Sequence, residues 1–199
     1  NNTRDWLTPD DIRAIQIDRR VDDCIDKQME FNAGGARYYW SVSNVAGLVN
    51  VIDSLSVVRE LVFEKKEYDA ASFHAAMDAR DPVFLRKARK CPCFGVDDDR
   101  ADALGADFAG KIYDCFDERE CFPSGRYMTV SNQFTTYEGA GRPVLATPDG
   151  RGAGEPLCDS LGAVHAKDIK GPTALLSSTA KLPLYRVFGT PVMNIRMKK

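Results

Sequence analysis

Apolar positions recur every three or four residues in a few stretches of this chain, and those stretches predict its helices. The strongest runs from Leu48 to Val62, where Leu48, Val51, Ile52, Leu55, Val58 and Val62 mark one face. A second runs from Ala101 to about Arg119, with Leu104, Phe108, Ile112, Cys115 and Phe116 on its apolar side. Asp97, Asp98 and Asp99 stand at its start, where carboxylates cap free backbone N–H groups and favour the helix dipole. Asp69 reads as the cap of a helix carrying Phe73, Ala76 and Met77, and Asp81 with Pro82 opens another over Val83–Lys90. Thr8 with Pro9 starts a helix with Ile12, Ile15 and Ile17, and a short helical piece over Val21–Met29 is ended by Gly34 and Gly35.

Alternation predicts the strands. Arg126–Phe134 sets Tyr127, Thr129 and Ser131 against Met128, Val130 and Asn132, and Pro191–Met197 sets Met193, Ile195 and Met197 on one side. Arg37–Ser41 is aromatic and extended in character, and Arg142–Thr147 is a short apolar run of the kind that forms a buried strand, halted by Pro148. Between them Tyr137–Gly141 reads as a flexible link. The mixture of helices and strands makes the fold α/β, and 199 residues with 44% hydrophobic content suit a single domain with one sizeable core.

Charge narrows the partners. The net charge is −2, and the 27 basic residues are scattered, so no nucleic-acid footprint is visible. No apolar run approaches the roughly 20 residues that cross a bilayer, and the first residues are polar where a signal peptide would be apolar. A cytoplasmic setting is the expectation. The six cysteines, Cys24, Cys91, Cys93, Cys115, Cys121 and Cys158, then read as reduced thiols. Cys91-Pro92-Cys93 lacks the spacing of a zinc knuckle, so no metal is expected.

Candidate chemistry is sparse. Pro148-Asp149-Gly150 is a turn signature, and Arg151 at its tip is flanked by Gly152 and Gly154. Bare backbone amides beside an arginine can cradle an anion. Alternatively Arg151 pairs with a carboxylate such as Glu155 and pins the turn. Tyr38 and Trp40 are candidates for lining a substrate cavity, or are core aromatics of a strand. His74 reads as a surface histidine without a partner nearby in the sequence, and no residue is a catalytic candidate.

The order of residues carries more than their class. TPDGR, AGEPLCDS and KDIKGPTALLSSTAKL, spanning Thr147 to Leu182, resemble the C-terminal half of glycyl radical enzymes of the pyruvate formate-lyase and glycerol dehydratase type. FNAGGARYYW at Phe31–Trp40, NVIDSLSVVRELVFE at Asn50–Glu64 and CFGVDDDRAD at Cys93–Asp102 resemble the same family in the same order, so the likeness covers about Asp22 to Met197. Val96 departs from the asparagine common at that place in the family.

The resemblance implies a partial half-barrel of the family's ten-stranded α/β barrel, with the segment at Tyr38–Trp40 in the wall. It implies a glycyl radical installed by a radical-SAM activating enzyme, a thiyl cysteine in a Gly-Cys-Val loop, a small organic substrate, an anaerobic setting and a possible homodimer. None of the six cysteines has the Gly-Cys-Val context. Arg186-Val187-Phe188-Gly189-Thr190 imitates the radical-glycine motif, but Thr190 stands where the motif has tyrosine and Pro191 follows at once. The register from Lys181 to Asn194 matches the family segment that precedes the radical domain, so the chain alone is expected to be inactive. AGEPLCDS at Ala153–Ser160 resembles the dehydratase, decarboxylase and lyase branch. The alternatives are formate C-acetyltransferase proper, or a non-catalytic scaffold or binding module derived from the family.

Overall fold

The computed structural model describes residues 18–117, 119–123, 125–133, 135–164, 167, 169–188 and 191–195. The expected helix at Thr8 lies outside them, as do Phe134, Gly189, Thr190 and Met197. The chain falls into two compact units. The smaller takes the described residues up to Val42 together with Cys115–Met128, and the larger takes Ser43–Asp114 and the residues from Thr129 onward.

In the smaller unit, Val21–Met29 is a series of turns and not the expected helix. Asp23 and Gln28 adopt positive φ (77° and 51°), which breaks any helical ladder, and Asp23 instead holds Arg37 at 2.5 Å. Burial against Arg37 does not neutralise that carboxyl; the Arg37 hydrogen bonds hold it below the usual range. A tight turn at Phe31–Ala33 ends at Gly34, and a Cβ on Gly35 would stand 2.0 Å from the Met29 carbonyl oxygen. That contact is backbone on backbone, so the glycine is required there.

Two strands, β1 (Trp40–Asn44) and β2 (Arg126–Val130), form a small open parallel sheet. β2 falls within the expected Arg126–Phe134, whereas β1 overlaps the expected Arg37–Ser41 only at Trp40 and Ser41 and runs on to Asn44. In the larger unit the register is fixed by Val45 N–H donating to the Val130 carbonyl (2.9 Å). On the other side of β2, the amides of Phe188 and Val192 donate to the Thr129 and Ser131 carbonyls (3.0 and 3.1 Å). The expected last strand is reduced to one antiparallel bridge, Ser160 with Met193.

The larger unit is built on α1 (Leu48–Val58), which continues as a wider π turn over Arg59–Glu64. Gly47 enters it at φ +72°, a conformation that glycine adopts without strain. The helix exists where the apolar period predicts it, with Leu48 and Ile52 in the main core and Val58 and Val62 against the satellite core, but its inward face is wider than the period predicts. Leu48, Val49 and Ile52 are buried together with the polar Asn50, Asp53 and Ser56, while Val51 is exposed. A period count assigns polar residues outward, and here partners inside the protein reverse that assignment.

The helices α2 (Ala70–Asp78) and α3 (Pro82–Ala88) start where Asp69 and Asp81 predict. Asp69 and Ser72 form a reciprocal capping box, and Asp81 accepts from the amides of Val83 and Phe84 (3.2 and 3.3 Å). Phe73 and Phe84 meet edge to face at 5.1 Å in a satellite core with Val57 and Leu61. His74 is exposed as expected, yet it has a partner: Asp78, one turn on, lies 3.1 Å from its Nδ1.

In α4 (Asp99–Asp117), Asp98 supplies the cap by accepting from the Arg100 amide at 3.0 Å. Gly105 lets α4 approach α1, since a Cβ there would stand 3.0 Å from Ile52 Cδ1. Phe94, Tyr113, Leu161 and Leu175 complete the main core over Leu48, Val49 and Ile52. The supposed flexible link is a short helix, α5 (Thr136–Gly141), and α6 (Gly171–Ala180) was not anticipated at all, although Pro172 in its first turn is a helix-start signal.

Arg142–Thr147 is not a strand. Arg151 donates to the carbonyls of Val144 (3.2 Å) and Leu145, and the Gly154 amide also reaches Val144 (3.0 Å). The Leu145 side chain is 77% exposed. An apolar run that looked like core is held extended by a side chain in place of a sheet.

Among the described residues no helix is long and apolar enough to cross a membrane.

Candidate functional site

The polar face of α1 organises the part of the larger unit where charged groups converge. Asn50 bridges two elements: its Nδ2 donates to Asp149 Oδ2 (2.8 Å), and its Oδ1 accepts from the Cys158 amide (2.7 Å). Asp149 stands in the expected turn, which is closed by the Gly150 amide on the Thr147 carbonyl (3.0 Å). Its other oxygen accepts from Thr147 Oγ1 (2.5 Å) and from the Arg151 amide (3.3 Å). One turn along α1, Asp53 is fully buried and accepts from the Phe94 amide (2.7 Å) and from Lys167 Nζ (3.0 Å). Burial pushes the Asp53 carboxyl up; Lys167 and the Phe94 amide oppose that shift, and the nearby Asp149 adds to it.

Arg151 is 6% exposed. Its guanidinium donates to Thr147 Oγ1 (3.2 Å), to the Glu155 carbonyl (2.6 Å) and to the carbonyls of Val144 and Leu145. The Glu155 carboxylate goes elsewhere, to the Gly152 amide (2.8 Å) and, at 3.6 Å, to Arg80. Arg80 lies over the bare backbone of Gly152, where a Cβ would come within 2.1 Å of its Nη1.

These groups line a cavity of about 540 Å³ whose wall carries Arg80, Arg89, Arg151 and Lys167 against Asp149 and Glu155. Cys158 also borders it. Burial pushes that thiol up to about 11, and does the same for Cys91 and Cys93. The Cys158 Sγ rests on the Ser160 carbonyl at 3.6 Å. These thiols are therefore held protonated at neutral pH.

Of the residues singled out from the sequence, Arg151 stands in this cavity wall. Tyr38 and Trp40 belong to the smaller unit, where both rings are exposed and their centroids lie 6.1 Å apart. Asn50, Asp53, Arg80, Arg89 and Lys167 escaped the sequence reading. The one local signal was a pair of polar residues, Asn50 and Asp53, set among the apolar positions of the best helix. Among the described residues, no cluster of histidine, cysteine or carboxylate side chains could hold a metal.

A second buried carboxylate, Asp102 on α4, lies beside Lys181 (2.9 Å), which also reaches Asp97 and Asp99 at 2.8 Å each. Hydrogen bonds to the three aspartates hold the Lys181 ammonium well above the usual lysine range.

The pyruvate formate lyase-like family profile matches residues 19–139. Trans-4-hydroxy-L-proline dehydratase of Clostridioides difficile is 30% identical over 174 residues, covering 85% of this chain and 22% of that enzyme. Isethionate sulfite-lyase of Desulfovibrio desulfuricans is 37% identical over 136 residues, covering 66% of this chain and 16% of that enzyme. The crystal structure of the Clostridioides difficile hydroxyproline dehydratase with trans-4-hydroxy-L-proline bound superposes with a TM-score of 0.80 at 28% identity, over 86% of this chain and 22% of that one. The chain thus spans about a fifth of the length of these relatives.

Proposed function

Because this chain belongs to the pyruvate formate lyase-like family, we infer that it is scaffold of a glycyl radical dehydratase or lyase that cleaves a C–O, C–N, C–S or C–C bond in a small organic substrate. The observation that carries this reading is the superposition at TM-score 0.80 with hydroxyproline dehydratase, across 86% of the chain. The relatives support the branch, since they are named as a dehydratase and a sulfite-lyase. That favours the dehydratase and lyase branch over formate C-acetyltransferase.

On this reading β1 and β2 are neighbouring staves of one five-stranded half of the barrel, and the amides of Phe188 and Val192 hydrogen-bond along the other side of β2. The buried polar face of α1 then holds the Thr147–Cys158 loop through Asn50. Exposed Leu145, Ile169 and Tyr185 support a stretch that packs against further protein, and they speak against a self-contained binding module.

The family's chemistry needs a glycine-centred radical, installed by a radical-SAM activating enzyme, and a cysteine that relays it to substrate. The cysteines of this chain do not fit that relay: none has the Gly-Cys-Val context, and Cys91, Cys93 and Cys158 are largely buried thiols. No radical step is assigned to a residue here, and the role of this chain is to position elements around the reaction.

The test is electron paramagnetic resonance after anaerobic incubation of the chain with a radical-SAM activating enzyme of the dehydratase branch. The expected outcome is no glycyl doublet and no turnover. A doublet that disappears in Gly189→Ala would overturn the scaffold reading.

A further inference from the structure

We propose that the cavity beside the Thr147–Glu155 turn is a binding site for a phosphate-type oxyanion, carried free or as the head of a small ester. Its cations are unevenly compensated. Lys167 is matched by Asp53 beneath it. Arg151 is almost wholly buried, yet among the described residues its guanidinium is bonded to three carbonyls and a hydroxyl, which are neutral and do not offset its charge. Arg89, which closes α3 at the mouth, pairs with no carboxylate among the described residues. Arg80 shares Glu155 at 3.6 Å, a separation that leaves the pair solvent-screened.

The two carboxylates of the wall oppose an anion only weakly. Asp149 is turned into the protein, with its oxygens taken by Asn50, Thr147 and the Arg151 amide. Glu155 is folded back on the Gly152 amide. Arg80 and Arg89 thus bring guanidinium donors to the cavity lining, and a guanidinium fork is matched in shape to two oxygens of a phosphate. The volume of about 540 Å³ exceeds what a bare oxyanion fills, and Pro156 and Val164 supply apolar wall for a short organic group. Gly152 is what makes the arrangement possible, since any side chain there would displace Arg80.

Titration calorimetry of the 199-residue chain with inorganic phosphate and, separately, with glycerol 3-phosphate tests this. Saturable binding is expected that weakens as chloride is raised. Arg89→Ala and Arg80→Ala should each weaken it about tenfold, the scale of one charge-assisted contact. Arg86→Ala, on the exposed side of the same helix, should leave it unchanged. Tighter binding of the ester assigns the apolar wall to its organic group; equal affinity assigns the site to the free ion. Absence of saturation, or equal loss in Arg86→Ala and Arg89→Ala, would overturn the proposal. Thermal melting of each variant verifies that the fold is retained, which exposed Arg80, Arg86 and Arg89 should not disturb.

Discussion

Two carboxylates of the larger unit are completely buried, and each leans on a lysine, but they are solved differently. Asp53 has one lysine, Lys167, and one backbone amide, so both of its oxygens are satisfied. Asp102 gives one oxygen to Lys181, while its Oδ1 has no partner among the described residues. Lys167 is almost enclosed, with 12% of its side chain exposed, and among the described residues it pairs with Asp53; Lys181 is more open and gathers three aspartates at the start of α4. The first arrangement is a closed pair that ties α1 to a distant loop. The second is a clasp between α4 and the end of α6, with more negative charge than the lysine neutralises. A buried acid can thus be held by full satisfaction of its oxygens or by a shared cation, and the two should fail in different ways.

The largest difference is expected on removing Asp53. Asp53→Ala leaves Lys167 and the Phe94 amide without their acceptor and opens a void, and should destabilise the chain by about 3 kcal/mol in urea unfolding. Burial raises the Asp53 pKa, so the folded state keeps this proton at pH values where the unfolded state has released it. Stability therefore falls as pH rises from the ordinary aspartate value of about 4 toward the raised one, and Asp53→Ala should lose that slope.

Cys158, beside the same cluster, sharpens the contrast at alkaline pH. Its thiol is raised from 9.0 to about 11, so its contribution is fully present below pH 9 and is lost as pH rises toward 11. That amounts to roughly 3 kcal/mol. Unfolding midpoints at the two ends of this window should converge in Cys158→Ala relative to the unmodified chain. An undiminished slope would place the alkaline sensitivity in Cys91 and Cys93.

The smallest effect is expected at the clasp. Lys181→Met leaves Asp97, Asp99 and Asp102 facing one another, which lowers the melting temperature by less than Asp53→Ala does. Because the cluster is partly exposed, added salt should recover part of the loss. Salt should do little for Asp53→Ala, and equal rescue of both variants would erase the distinction drawn here.

The same contrast explains what could be read from the chain beforehand. Local chemistry was legible: Asp69 and Asp81 begin helices because their carboxylates reach amides two or three residues ahead. The apolar period places α4 but not its inward face, since Ala101, Asp102, Gly105, Ala109 and Tyr113 are buried while Cys115 is exposed. The family was legible too, since TPDGR and GPTA are ordered strings that composition does not produce by chance. What escaped depends on partners far along the chain. Asp53 meets Lys167 across 114 positions and Asn50 meets Asp149 across 99, so the buried polar side of α1 was not legible, although Leu48 and Ile52 lie in the main core and Val58 and Val62 pack on the satellite core as the period predicts. Arg142–Thr147 was misread for a different reason, because its carbonyls are taken by the side chain of Arg151, only six or seven residues on, and not by a strand.

That last substitution has a bearing on solubility. A strand edge invites another chain because its carbonyls and amides stand open to a copy of themselves. At Val144 and Leu145 the carbonyls are already occupied by the Arg151 fork, so an exposed apolar ribbon is denied the ladder through which it would recruit a neighbour. One buried arginine thereby acts as a guard against edge-to-edge association at this exposed apolar stretch.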